Sequence, residues 1–146
     1  MKVVIDQSSK NKEVEIIIRC DKIDEELREL IQQIESYGLS VPCKDARFSY
    51  TISKEKVMYF EAVDDKVFAY CQDAVHECKW KLYEVEGKLN SSKFVRISKS
   101  CILNIKYLDK VKPLINGKYE AFLRNTEKLI INRRYVPDIK EKLSIL

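Results

Sequence analysis

Lys93-Phe94-Val95-Arg96-Ile97-Ser98-Lys99-Ser100-Cys101-Ile102-Leu103-Asn104 is the stretch on which the reading of this chain turns. Apolar and polar side chains alternate up to Ile97, the period of a half-buried strand. Ser98-Lys99-Ser100 then interrupts, and an apolar run resumes. A break of that composition is a loop or bulge between two strands, and it presents a lysine and two hydroxyls at one point. Lysine offers charge to phosphates and reaches the acceptors on guanine, and serine bonds phosphate or base edges. Lys93 and Arg96 add cations to the same stretch.

Outward from here the period stays near two. Downstream, strands are expected over residues 110–115, 119–124 and 128–131, with Asn116-Gly117 as a hairpin turn needing positive φ at both central positions. Pro113 restricts its strand to a sheet edge, and Pro137 marks a helix start. Asn132 heads a terminal turn or helix running to residue 146, and Arg133-Arg134 puts two guanidiniums at that start, where backbone N–H groups favour phosphate. Upstream, residues 47–53, 57–62, 67–71 and 74–79 read as strands, with 63–66 as a turn. Leu82, Val85 and Leu89 mark one short helix ending near residues 87–92.

The first third reads differently. Residues 2–7 and 13–20 alternate as two short strands around a polar turn at Ser8-Ser9-Lys10-Asn11. Ile23, Leu27, Leu30, Ile31 and Ile34 then form one helical face, with Asp24 as cap and Gly38 as stop. Ser40 to Lys44 reads as the joint to the strand-rich remainder of the chain. The expected division is a β-β-α extension over residues 1–44, which could serve dimerisation, and a domain over 45–146. No helix-turn-helix and no internal repeat is visible.

Composition narrows the function. The 146 residues carry 27 Lys+Arg against 23 Asp+Glu, but the charge is uneven. From Lys88 onward there are 14 basic and 5 acidic residues, a net of +9, which leaves −5 for the rest. A polyanion would meet the second half. Three glycines cannot build a phosphate loop, and the single His76 completes neither a zinc site nor a catalytic triad. Cys20, Cys43, Cys71, Cys78 and Cys101 show no C-x-x-C spacing and read as small apolar core residues. No catalytic residue, metal site or cofactor is expected, and neither a bilayer-spanning run nor a signal peptide is read. The cytoplasm is the expected compartment.

The order of these features resembles the LytTR DNA-binding family of bacterial transcription regulators. The residues that carry the likeness are Phe94-Val95-Arg96-Ile97-Ser98-Lys99-Ser100 with Leu103-Asn104, then Asn116-Gly117, then Asn132-Arg133-Arg134-Tyr135-Val136. Glu55 to Ala62 looks like the family's "I-x-Y-F-E-A" strand, and residues 79–89 like its single helix. The resemblance implies a mainly β, antiparallel LytTR-type sheet domain with few helices. Its loops, rather than a recognition helix, would enter successive major grooves. Lys66, Lys99 and Arg134 would be the three loop cations, with Lys93, Arg96, Ser98, Ser100 and Arg133 beside them. Asn104 matches too, as a residue that holds a turn.

Three departures stand out. Ser98-Lys99 replaces the common His-Arg, Asn132 replaces the usual Ser, and only about 44 residues precede the domain, too few for a receiver. The chain resembles the stand-alone branch, so the expectation is a regulator that binds double-stranded DNA as a homodimer. Two other readings remain open at this point. One is an interaction module that recruits an acidic protein without DNA, and the other is redox control through Cys101.

Overall fold

The computed structural model describes residues 1–12, 14–37, 40–89 and 93–143. Strand β1 (Ser40–Lys44) opens a seven-stranded antiparallel sheet, followed by β2 (Ser49–Ser53), β3 (Val57–Val63), β4 (Lys66–Cys71), β5 (Val75–Cys78), β6 (Phe94–Ser98) and β7 (Cys101–Asn104). Their spatial order is β2-β1-β5-β4-β3-β7-β6. A second, three-stranded sheet, ordered β10-β9-β8, consists of β8 (Leu108–Pro113), β9 (Tyr119–Leu123) and β10 (Lys128–Ile131). Helices α1 (Glu25–Tyr37), α2 (Leu82–Leu89) and α3 (Val136–Leu143) complete the described chain. The mainly antiparallel β architecture is the one the alternation predicts.

Alternation sends the side chains of the large sheet into two separate cores. Phe60, Val67, Ala69, Phe94 and Ile102 point to one face and pack with Leu82, Val85 and Leu89 of α2. Tyr59, Val95, Ile97, Cys101 and Leu103 point to the other and meet Ala121, Leu123 and Ile131 of the small sheet, together with Val136 and Ile139 of α3. The large sheet is therefore the middle layer, and both of its faces are used. Phe60 is fully buried, and its truncation to Ala would cost about 3–5 kcal/mol.

Several local readings hold. Asp24 Oδ1 accepts the Leu27 N–H at 2.8 Å, capping α1. His76 is satisfied, its Nδ1 lying 2.7 Å from the Tyr50 hydroxyl. Asn104, 2% exposed, donates from Nδ2 to the Val57 carbonyl and accepts the Lys106 N–H, so it pins the turn after β7. Pro113 does sit in an edge strand, and Pro137 in the first turn of α3.

Others are corrected. Residues 40–44 are not a joint: Val41 and Cys43 are buried, and β1 pairs with both β2 and β5. Residues 2–7 and 14–20 form no ladder among the described residues: neither segment joins either sheet, and their apolar side chains are exposed. The Asn116-Gly117 hairpin has one positive φ, +77° at Gly117, and Leu114 N–H bonds the Lys118 carbonyl at 2.8 Å. Three residues therefore turn the chain, where two were expected. Cys20 is exposed, unlike the other four cysteines. Gly38, Glu13 and the expected helix ends at 90–92 and 144–146 lie outside the described residues.

Candidate nucleic-acid interface

Strand direction decides which bends meet. Chain reversal at Asp64-Asp65 joins β3 to β4, and both residues adopt positive φ (48° and 66°), as a tight two-residue hairpin requires. Reversal at Lys99-Ser100 joins β6 to β7. Because β7 pairs antiparallel to β3, both reversals fall at the same end of the sheet, and Ala62 N–H bonds the Ser100 carbonyl at 2.8 Å between them. At adjacent-strand spacing the two bends are about 10 Å apart. The exit from β10 reaches the same end, where Asn132 N–H bonds the Ile97 carbonyl at 2.9 Å. The three bends carrying Lys66, Lys99 and Arg134 thus form one row along one edge.

Each bend has its own electrostatics. Lys99 is exposed and its ammonium has no carboxylate partner among the described residues. Arg133 and Arg134 are exposed as well, with the Arg134 guanidinium 5.9 Å from the Tyr135 ring centre. Lys66 is exposed but shares Glu77 with Lys44, at 4.0 and 3.7 Å, and has Asp64 and Asp65 as neighbours. Its bend attracts a polyanion least. Lys81 braces that turn by donating to the Asp65 carbonyl at 3.2 Å.

The loop at 98–100 is built with care. The pairing of β6 with β7 shifts register between Arg96 and Ser98, a β-bulge just before the loop. Ser98 Oγ accepts the Ser100 N–H at 3.2 Å and lies 3.4 Å from its hydroxyl. Arg96 commits its guanidinium to its own chain: Nε donates to the Ser98 carbonyl at 2.9 Å, Nη2 to the Lys99 carbonyl, and Nη1 to Glu86 of α2 at 2.6 Å. It holds the loop and does not extend from it.

Lys93 is separated from the others. It precedes β6, and its carbonyl accepts the Ile105 N–H at the opposite end of the sheet, roughly 17–20 Å of strand away from Lys99. The helix start expected at Asn132 is a three-residue 3-10 turn, Arg133–Tyr135, and the Asn132 side chain makes no capping bond. Sequence reasoning missed the tip of the β8–β9 hairpin, which lies at this same end beside Arg133 and Arg134. Ile115 to Lys118 line an open cleft with Asn132, Arg133 and Arg134. Only strand direction could have revealed that.

The model of the LytTr DNA-binding domain matches residues 48–144. The chain belongs to the LytTr DNA-binding domain family. A structural neighbour, the LytTr DNA-binding domain of a Bacillus cereus protein described as a methyl-accepting/DNA response regulator, superposes with a TM-score of 0.67. It covers 73% of this chain and 97% of its own, at 24% identity, a likeness of fold. An uncharacterized HTH-type transcriptional regulator of Staphylococcus aureus strain MSSA476 is 30% identical over 148 residues, 99% of each chain. Another from strain NCTC 8325 is 34% identical over 96 residues, covering 66% of this chain and 65% of its own. In this LytTr chain no two helices adjoin as a helix-turn-helix among the described residues.

Burial also bears on redox control. The Cys101 thiol, 5% exposed, is pushed up from 9.0 to about 12, chiefly by desolvation and further by the Glu61 carboxylate, with Arg96 opposing. A thiol held protonated in this way is a poor nucleophile, which weighs against a redox role. No helix among the described residues is long and apolar enough to cross a membrane.

Proposed function

We propose that this LytTr chain is a cytoplasmic, non-catalytic transcription regulator that reads double-stranded DNA along the row of bends. Lys99 and Arg134 contact base edges in successive major grooves, and Lys66 adds a weaker contact. Arg133, Ser98 and Ser100 engage phosphates. Arg96 acts through the loop it braces, and Lys93, at the far end, takes no part. The observation that carries this reading is the pair of backbone hydrogen bonds, Ala62 to Ser100 and Asn132 to Ile97, which gathers three separate bends at one edge. Cations distributed along an edge match the repeating phosphates of a duplex.

The chain acts on repeated half-sites as a homodimer, with residues 1 to about 39 as the extension that mediates pairing. Val3, Ile5, Val14, Ile16, Ile17 and Ile18 are all exposed, and α1 contributes Leu27, Leu30, Ile31 and Ile34, only half-buried. Segments of this alternating pattern, unpaired among the described residues, can pair with the same segments of a second copy.

Binding-site selection on random duplex DNA, followed by affinity measurement over a range of salt, tests the function. An enriched motif and a steep linear fall of log K with log salt are expected. Recovery of unselected sequence, or binding to an acidic protein alone, would overturn it. Light scattering on the full chain carrying Ile16→Asp and Ile18→Asp tests pairing, and an unchanged dimer mass would reject the extension as its site.

A further inference from the structure

The β8–β9 hairpin tip is the one feature at the cation-bearing end that the three bends leave unused. β8 starts at Leu108, at the far end, where the Arg124 N–H bonds the Tyr107 carbonyl. It runs towards the row, so its turn at Ile115-Asn116-Gly117 is a fourth bend on the same edge. The tip is set against the arginine corner at close range: a Cβ placed on Gly117 would stand 2.7 Å from Cδ of Arg133. Only a residue with no side chain, at φ +77°, lets the hairpin lie so near the guanidinium stem.

At that tip stands Ile115, 101% exposed, the most exposed isoleucine among the described residues. Among the described residues nothing covers it. Scattered surface apolar residues are ordinary. This one differs in its setting, at the apex of a hairpin between Lys112 and Lys118, both exposed, beside two exposed arginines. The surroundings suit a polyanion, and the apolar side chain suits the apolar feature of a base pair in the major groove, the thymine methyl.

We infer that the Ile115–Lys118 tip is a fourth DNA contact, in the same groove as Arg134, with Ile115 meeting a thymine methyl and Lys118 a phosphate. The inference rests on the DNA-binding reading and adds a base preference to it. It predicts a thymine at a defined place in each half-site, next to the position that Arg134 reads.

The test uses the full chain and a duplex obtained by selection. Ile115→Ala, which alters a fully exposed side chain and leaves the fold intact by circular dichroism, is expected to weaken binding roughly five- to tenfold. Replacing one thymine of the duplex by uracil, which removes only the methyl, should cost the same factor for the native chain and nothing further for Ile115→Ala. Lys118→Gln should lower the salt slope by about one phosphate. Native affinity in Ile115→Ala, or a loss that no single uracil reproduces, overturns the proposal. Lys99→Ala and Arg134→Ala, measured alongside, separate the readings, because unchanged binding in both would reject the DNA interface itself.

Discussion

Arg96 offers the sharpest separation between a residue that touches DNA and one that shapes what touches it. Its charge is already opposed by Glu86 at 2.6 Å, and two other nitrogens hold the carbonyls of Ser98 and Lys99. The side chains of the pair are 23% and 52% exposed, so water screens them, and the ion pair itself contributes about 0.5–1 kcal/mol. Losing the brace matters more for binding, because Lys99 is then presented from a slack loop. Arg96→Ala should weaken binding to a selected duplex about tenfold, about 1.4 kcal/mol, with the salt slope unchanged. Arg96→Lys should behave the same way, since an ammonium cannot reproduce the fork. Glu86→Gln should cost two- to threefold, on the order of 0.5 kcal/mol. Fluorescence anisotropy at four salt concentrations reads both affinity and slope. If Arg96→Ala lowers the slope by about 0.9 and Glu86→Gln binds more tightly, Arg96 is a phosphate contact and the bracing argument is wrong.

Asn104→Ala strands the buried Val57 carbonyl and should lower unfolding free energy by about 2 kcal/mol in urea titration, with no change in folded-state salt slope. Gly117→Ala should cost about 1 kcal/mol from the strained φ, and its new methyl displaces the Arg133 stem, weakening DNA binding a few-fold by anisotropy. Cys43 and Cys101 are each raised from 9.0 to about 12, chiefly by burial. The unfolded chain therefore releases these protons near pH 9 while the folded chain retains them. Stability should be unaffected by them below about pH 8 and fall between pH 9 and 12, by up to roughly 1.4 kcal/mol per pH unit per thiol. Urea midpoints at pH 8 and pH 10 check this, and Cys101→Ala should show a smaller drop than the native chain.

Most of the sheet was legible because strands carry their burial in every second residue. Lys66 to Cys71 shows that alternation, whereas Val57 to Ala62, buried on both faces in the middle layer, is readable from its β-branched and aromatic residues instead. Ser40 to Lys44 misled because Pro42 and Ser40 carry the composition of a loop, although Val41 and Cys43 keep the period of a buried strand. The N-terminal alternation is real, but a pattern specifies a face and not a partner, and these segments have none within the described residues. The candidate site was half legible. Residue chemistry pointed to Lys99 and to the Arg133-Arg134 pair, but Lys93 and Arg96 lie in the same stretch as Lys99 and have different fates. One stands at the far end of β6 and the other is turned inward to its own loop. Which end of a strand faces a ligand depends on register with β3 and β7, pairings that no local pattern contains.

The central claim is geometrical, and a cleavage reagent can read it. With exposed Cys20 replaced by Ser and the four buried thiols unreactive, iron-EDTA attached in turn at Lys66→Cys, Lys99→Cys, Arg134→Cys and Lys93→Cys would cut bound duplex wherever the label approaches the backbone. The account predicts cuts from the first three at adjoining positions, advancing along the duplex in the order 66, 99, 134, and none from position 93. Cutting from position 93 as strong as from 99, or three patterns with no spatial order, would contradict it.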